Sequence, residues 1–139
     1  MNEQTKVTGT VLAGGLARRM GNQDKGLVLF RGKPMVEYAL QAMSVVVDQV
    51  LINANRNLEQ YQQFGVPVIA DQTDSFDGPL AGVYTAMVHS QAEILLVMPC
   101  DTPLVGPEHL NRLLQTLKTC GADICVAFDG ERKIGRAHV

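Results

Sequence analysis

Residues 7–25 read VTGTVLAGGLARRMGNQDK, and this stretch decides the fold. Its first part, residues 7–13, is a short apolar run rich in β-branched residues, which predicts a strand. The run leads into the glycine pair at residues 14–15, and the cations Arg19 and Lys25 follow. A strand that opens into a glycine loop leaves backbone N–H groups uncovered, so a phosphate group can approach them closely.

The two cations of this loop indicate what kind of phosphate it would hold. Arg19 offers a planar guanidinium to phosphate oxygens and Lys25 offers a mobile point charge, a pair that suits a triphosphate. The loop is not a Walker A motif, because no G-K-[ST] follows, and the chain contains no G-x-G-x-x-G. A strand followed by two glycines is by itself more often a simple turn; the prediction depends on the glycines and both cations together.

Outward from this loop, strand-like and helix-like stretches alternate along the chain. Helices are predicted from Pro34, Leu58, Leu80 and Pro107. The predicted strands are residues 7–13, 50–54, 66–70, 94–98 and 124–128. Such alternation predicts right-handed βαβ units, and therefore an α/β fold with three αβα layers and a mostly parallel, doubly wound sheet.

The composition limits the classes of function. The 139 residues are 46% hydrophobic and 19% charged, which suits one globular domain. The formal net charge of -2 gives no reason to expect a nucleic acid or a membrane as partner. We find no signal-peptide pattern and no apolar run near the roughly 20 residues that a spanning helix needs, so we expect a cytoplasmic protein. The three cysteines form no C-x-x-C pair and are interpreted as reduced, non-catalytic thiols.

Polar residues follow several of the predicted strands. Asn53, Asp71 and Asp101 each lie at or just past a strand end, and ligands of open parallel sheets bind at the carboxyl ends of the strands. Mg²⁺ prefers one or two carboxylates with phosphate oxygens and water, which makes Asp101 the candidate ligand. The alternatives are a turn or helix cap at Asp101, a solvated turn at Asp71 and an Asn53 side chain that bonds its own backbone.

The motifs resemble a known family. Residues 12–25 match the signature L-A-[AG]-G-x-x-x-R-M-G-x-x-K, allowing for the spacer before the lysine, which is typical of nucleotidyltransferases of the glycosyltransferase-A-like fold. Among these the chain is similar to the molybdenum cofactor guanylyltransferases (the MobA family) over residues 7–132. The motifs that carry this narrower resemblance are DKGL at 24–27, NANR at 53–56, GPLAG at 78–82 and PCDTP at 99–103.

The resemblance implies a reaction and a set of site residues. GMP would pass from GTP to molybdenum-molybdopterin, giving the molybdopterin guanine dinucleotide cofactor and pyrophosphate. Catalysis would fall to Arg19, Lys25 and Asp101, with Mg²⁺ on Asp101. Other proteins of molybdenum cofactor biosynthesis are further expected partners. The nucleotide would be bound by Leu12, Ala13, Gly14, Gly15, Lys25, Asn53, Asp71 and Asp101.

The same resemblance sets the expected boundaries and the rivals. Residues 1–132 are expected to form a GTP-binding domain that lacks the family's C-terminal part, with an incomplete acceptor site and marginal stability. Residues 133–139 (KIGRAHV) are interpreted as a non-native or disordered tail. One rival is another nucleotidyltransferase of this fold, such as a molybdopterin cytidylyltransferase or a sugar-1-phosphate enzyme. The other is a GTP-binding fragment that does not catalyse.

Overall fold

The computed structural model describes residues 5–13, 24–71 and 79–127. The predicted glycine loop with Gly14, Gly15 and Arg19 lies outside these ranges, as does the predicted tail at 133–139. Within them the α-helices are α1 Met35–Ser44, α2 Leu58–Gln62, α3 Pro79–His89 and α4 Pro107–Cys120, and a short 3-10 helix spans Lys25–Leu27. The strands are β1 Val7–Leu12, β2 Leu29–Phe30, β3 Lys33–Pro34, β4 Gln49–Asn53, β5 Val68–Ile69 and β6 Ile94–Pro99.

Four of these strands form one parallel sheet of order β5-β4-β1-β6. The strand β1 is central, and its Val11 lies beside Ile52 of β4 and Met98 of β6. The chain builds outward from β1 on one side through β4 and β5, and then crosses to the other side to form β6. This reversal of direction is the doubly wound topology that the sequence predicted.

The alternation of side chains along β1 separates the two faces of the sheet. Val7 and Val11 point into the main core, which also holds buried residues of α1 and α4 such as Met43 and Leu114. On the opposite face Thr8 accepts a hydrogen bond from the hydroxyl of Ser90, just after α3. The buried residues Ala86, Leu95 and Val97 form a smaller cluster on that face. Helices therefore cover both faces, which confirms the three-layer arrangement.

Two predicted strands differ in the structure. The predicted strand 66–70 is only two residues long, Val68–Ile69. The prediction of a strand at 124–128 is wrong for residues 124–127, which form none, and Phe128 lies outside the described residues. A strand needs a hydrogen-bonded neighbour, and within the described sheet β6 pairs with β1 alone. Ile124 is 58% exposed and lines an apolar groove of about 430 Å³ beside α3.

None of the helices in the described residues is both long enough and apolar enough to cross a membrane.

Candidate functional site

The carboxyl ends of three neighbouring strands are held level by backbone hydrogen bonds. The N–H of Ala13, just after β1, donates to the carbonyl of Asn53 at the end of β4, with an N–O distance of 2.7 Å. The N–H of Cys100, just after β6, donates to the carbonyl of Leu12 at 3.2 Å. The predicted residues Leu12, Ala13 and Asn53 therefore share one edge of the sheet with the start of the 99–103 motif.

Lys25 and Asp101 meet at this edge. Lys25 opens the 3-10 helix and Asp101 follows β6, and the Nζ–Oδ2 distance between them is 3.6 Å. Their side chains are 44% and 37% exposed, so water screens the pair and the free energy that it contributes to stability is small. An exposed cation beside an exposed carboxylate can exchange this contact for a phosphate on the lysine and a metal ion on the aspartate.

The residue before Lys25 is held very differently. The Asp24 side chain is only 6% exposed. Its carboxylate accepts hydrogen bonds from the N–H of Gly26 at 3.3 Å, from Nδ2 of Asn57 at 3.0 Å and from the hydroxyl of Tyr61. Nε of Arg56 lies 3.9 Å from the same carboxylate. We call these five residues the Asp24 cluster; it is a nearly buried anion surrounded by donors.

Burial also sets the protonation of two groups near this cluster. Tyr61 is completely buried, and burial together with the Asp24 carboxylate raises its pKa well above the usual value, so its hydroxyl remains a donor. Burial, followed by the nearby carboxylates of Asp101 and Asp24, raises the pKa of Cys100 to about 12. The thiol is therefore protonated near neutral pH, which is the poorly nucleophilic form.

A second carboxylate is held by two asparagines at the other end of the edge. Oδ1 of Asp71 accepts from Nδ2 of Asn53 and Oδ2 accepts from Nδ2 of Asn55, both at 2.8 Å. In return the Asp71 N–H donates to Oδ1 of Asn55 at 2.7 Å. We call these three residues the Asp71 cluster. Two amide donors, one on each oxygen, fix the orientation of a carboxylate that is only half-buried.

Within this cluster Asn53 is an interior residue. It is 4% exposed, and its Nδ2 also donates to the carbonyl of Ile69 at 3.2 Å. Both of its amide hydrogens are therefore used inside the protein. Neither the solvated turn considered for Asp71 nor a bond from Asn53 to its own backbone describes these contacts.

The small residues at the start of α3 have a packing explanation. Ala81 is 3% exposed, and a Cβ added to Gly82 would lie 2.7 Å from Cδ2 of Leu12 and would collide with Oδ1 of Asn53. The helix can approach the ends of β1 and β4 this closely only because Gly82 has no side chain. Ala81 and Gly82 of the GPLAG motif therefore let α3 pack onto the predicted site; Gly78 lies outside the described residues.

Asp101 is the candidate metal ligand among the residues described. No group of three or more His, Cys, Asp or Glu side chains suited to a metal ion occurs within residues 5–13, 24–71 and 79–127. Asp101 does provide an exposed, hard oxygen donor beside Lys25. Such a site fits Mg²⁺, which commonly takes one or two carboxylates and completes its shell with phosphate oxygens and water.

Sequence reasoning named residues of this site but missed their pairing and what supports them. The structure brings Lys25 to Asp101 and Asn53 to Asp71, whereas the sequence only placed Asn53, Asp71 and Asp101 at strand ends. Asp24 entered the sequence analysis only as a letter of the DKGL motif, and Tyr61 did not enter it at all. A tyrosine in an otherwise polar helix was the only signal, and it does not indicate a partner 37 residues away.

The fold defines a class, an α/β protein with a parallel sheet, and the carboxyl edge of that sheet, where ligands of such folds bind, carries the polar and charged side chains described above. The profile of the family described as "MobA-like NTP transferase domain" matches residues 9–135. The chain therefore belongs to the family of MobA-like NTP transferase domains. This result confirms the resemblance and the nucleotidyltransferase fold that the sequence motifs indicated.

Individual relatives agree with the family. The chain is 48% identical over 127 residues to the molybdenum cofactor guanylyltransferase of Shewanella piezotolerans, covering 91% of this chain and 62% of that protein. Among solved structures it resembles molybdopterin-guanine dinucleotide biosynthesis protein A of Archaeoglobus fulgidus, with 26% identity, a TM-score of 0.72, and coverage of 94% and 66%. It shares its fold with the manganese complex of Rv0371c of Mycobacterium tuberculosis, with 21% identity, a TM-score of 0.71, and coverage of 96% and 70%. The chain thus spans less than two thirds of the length of the Shewanella relative.

Proposed function

We propose that this chain carries the GTP site of a molybdenum cofactor guanylyltransferase, within a domain formed by residues 1–132. The enzyme transfers GMP from GTP to molybdenum-molybdopterin in the cytoplasm and releases pyrophosphate. The observation that carries the proposal is the exposed Lys25–Asp101 pair at the carboxyl edge of the sheet. The printed name of the 48% identical relative supports the choice of GTP and of the acceptor. Other cofactor biosynthesis proteins are its proposed partners.

The phosphate end of the site lies at Lys25. A terminal phosphate oxygen of the acceptor attacks the α-phosphorus of GTP in line with the leaving pyrophosphate. Because a phosphate monoester is already nucleophilic near neutral pH, the step needs no general base. Lys25, together with Arg19 and the glycines at 14–15 in the loop, orients the triphosphate and neutralises its developing negative charge.

Asp101 holds the metal ion in this proposal. Its carboxylate is exposed and lies next to Lys25, the cation that binds phosphate in this proposal. Mg²⁺ commonly takes one or two carboxylates together with the phosphate oxygens of a nucleotide. Bound Mg²⁺ would lower the negative charge on the phosphate oxygens and so stabilise the transition state. The manganese complex formed by the structurally similar Rv0371c supports a divalent ion on this fold.

The nucleoside end of the site lies at the Asp71 cluster. A carboxylate repels phosphate, so Asp71 suits the hydroxyl groups of ribose or the N–H groups of guanine. Asn53 acts through Asp71, because its own amide hydrogens are already used. Leu12 and Ala13, at the end of β1, lie between the phosphate end and the nucleoside end and contact the nucleotide from that side.

The direct test is transfer activity in two single variants. Lys25→Ala and Asp101→Ala should each lower transfer of GMP to molybdenum-molybdopterin by about 100-fold or more, the usual loss when one charge-stabilising group is removed. Lys118→Ala and Asp123→Ala are the matched controls, because Lys118 lies in the last turn of α4 and Asp123 lies just beyond that helix. Thermal melts of all four variants should stay close to that of the parent chain.

Two results of this assay would contradict the proposal, and a third would support its alternative. Full activity in either site variant would remove that residue from the site. An equal loss in the controls would show that the effect is not local. A parent chain that binds GTP but forms no guanine dinucleotide would support the non-catalytic alternative.

A second experiment separates GTP from the other nucleotides. Protection of the parent chain against heat should be greatest with GTP and Mg²⁺, and small with CTP, ATP or UTP at equal concentration. Greater protection by CTP would favour a cytidylyltransferase, and greater protection by UTP or ATP would favour a sugar-1-phosphate enzyme.

A further inference from the structure

We propose that Tyr61 is a positioning residue for the nucleotide phosphates, acting through Asp24 on the 3-10 helix that carries Lys25. This inference rests on the proposed GTP site, and it adds a residue outside that site. Tyr61 is completely buried and does not lie at the exposed edge where Lys25 and Asp101 meet. Its effect on nucleotide binding therefore has to pass through its contacts.

Asp24 needs hydrogen-bond donors from the protein. A carboxylate that is 6% exposed has lost most of its hydration and is stable only if protein donors replace the water. The Tyr61 hydroxyl is one of these donors and belongs to a different element, α2. Removing it would leave part of a buried charge without a partner, which is costly.

The 3-10 helix also lies in close contact with the ring of Tyr61. A Cβ added to Gly26 would collide with the Tyr61 hydroxyl and would lie 3.1 Å from its Cε1 atom. The backbone one residue after Lys25 therefore rests directly on the tyrosine. Hydrogen bonding before the lysine and close packing after it fix the main chain on both sides.

The start of α2 is itself anchored to Asp24 through Asn57. Asn57 precedes this helix in the left-handed conformation with φ of 54°, which costs free energy in a residue other than glycine. Its side chain donates to Asp24, and its carbonyl accepts from the Tyr61 N–H at 3.1 Å. The start of α2 and the 3-10 helix are thus tied to each other by the same carboxylate.

The consequence for Lys25 follows from its flexible side chain. Four methylene groups allow the ammonium to reach many positions, so only a fixed main chain directs it consistently to the phosphate position beside Asp101. Loss of the Tyr61 hydroxyl frees the 3-10 helix and spreads the ammonium over a larger volume. Binding of the triphosphate then has to order the lysine again, which lowers affinity.

The test begins with Tyr61→Phe, which removes the hydroxyl and keeps the ring. Its dissociation constant for GTP with Mg²⁺, measured by calorimetry, should rise by up to about tenfold, the cost of ordering one flexible side chain on binding. Tyr38→Phe is the matched control, because its hydroxyl donates to the carbonyl of Phe30 at 2.5 Å, outside the Asp24 cluster. That variant should bind GTP as the parent chain does.

A double-mutant cycle separates positioning from general loosening of the fold. In a Lys25→Ala background, Tyr61→Phe should cause no further loss of GTP affinity, because the group that it positions is absent. A merely structural role would give the same loss in both backgrounds. If Tyr61→Phe does not fold, Asn57→Gly removes another donor to Asp24 while glycine tolerates the left-handed backbone, and about a threefold loss is expected.

The outcomes distinguish this inference from the function on which it rests. If the parent chain does not bind GTP, or if Lys25→Ala binds it equally well, the proposed function fails. Tyr61→Phe and Asn57→Gly each remove a donor to Asp24. If Lys25→Ala weakens GTP binding but these two variants bind GTP as the parent chain does, only the positioning role is overturned. Equal losses with and without Lys25 also overturn it.

Discussion

The Asp24 cluster and the Asp71 cluster contain similar contacts but serve the two opposite ends of the proposed nucleotide site. Each contains a carboxylate that accepts a hydrogen bond from an asparagine amide. The Asp24 side chain is 6% exposed, and the group presented at the edge is its neighbour Lys25. At Asp71 the arrangement is reversed, because the carboxylate itself lies at the edge while Asn53 is buried.

This difference shows how to interpret a carboxylate near a candidate site. A carboxylate enclosed by donors has its charge satisfied and serves as an anchor for the main chain. A carboxylate whose donors only fix its orientation keeps capacity for a ligand. The two clusters would look alike in a sequence motif, since each is an aspartate beside a predicted loop. Burial and the position of the donors distinguish them.

Of the changes that compare the two clusters, Gly82→Ala should have the largest effect on stability, and it acts on the Asp71 cluster. The added Cβ would press on Leu12 and Asn53, and overpacking of this kind costs about 1 to 3 kcal/mol of unfolding free energy. Displacing Asn53 should also change the orientation of the Asp71 carboxylate and so weaken GTP binding. Urea denaturation and calorimetry measure the two effects.

The control for that variant is Gly106→Ala at the start of α4. The atoms nearest to its added Cβ belong to the side chain of Glu108, which is 76% exposed. Because Gly106 is the N-cap of α4 and alanine caps a helix less well than glycine, stability should fall by about 0.5 kcal/mol, while GTP affinity should stay near that of the parent chain. A Gly82→Ala protein as stable as this control would show that α3 does not support the Asp71 cluster as described.

A smaller effect is expected from pH, and it tests the Asp24 side. The folded state raises the pKa of Tyr61 above its ordinary value of 10.0, so the unfolded chain loses this proton first. The stabilisation is complete below pH 10 and is lost as the pH rises further, by about 1.4 kcal/mol per unit. Cys100, whose pKa is raised from 9.0 to about 12, acts in the same direction from pH 9 upward.

Tyr61→Phe should therefore flatten the decline in unfolding free energy above about pH 10, leaving the part that belongs to the thiol. Urea denaturation at several alkaline pH values measures the slope for the variant and the parent chain. Equal slopes would mean that the phenol is not held in its protonated form, and the Asp24 cluster would lose its main donor.

The sequence predicted which polar residues follow the strands better than it predicted the contacts that hold those residues in place. Asn53, Asp71 and Asp101 could be placed at one edge because the ends of parallel strands meet there, whatever the details of packing. Whether a tyrosine in α2 would face Asp24 depends on how α2 lies against the sheet, and its polar sequence does not specify that. The same holds for Asn55, whose bonds to Asp71 depend on the loop after β4.

The error at residues 124–127 has a related cause. An apolar run with β-branched residues has strand propensity, but a strand forms only where a neighbouring edge accepts its hydrogen bonds. Among the described residues no strand pairs with the outer edge of β6, and Ile124 is largely exposed beside α3. Local pattern therefore predicted the element type without the tertiary contact that it requires.

The division of the site into a phosphate end and a nucleoside end can be tested with two ligands and two variants. Dissociation constants for GTP and for inorganic tripolyphosphate, each with Mg²⁺, should be measured by calorimetry for Lys25→Ala and Asp71→Ala. We expect Lys25→Ala to weaken binding of both ligands, whereas Asp71→Ala should weaken GTP binding by about tenfold and leave tripolyphosphate binding unchanged. Equal losses for both ligands in Asp71→Ala, or unchanged tripolyphosphate binding in Lys25→Ala, would contradict the division of the site into a phosphate end and a nucleoside end.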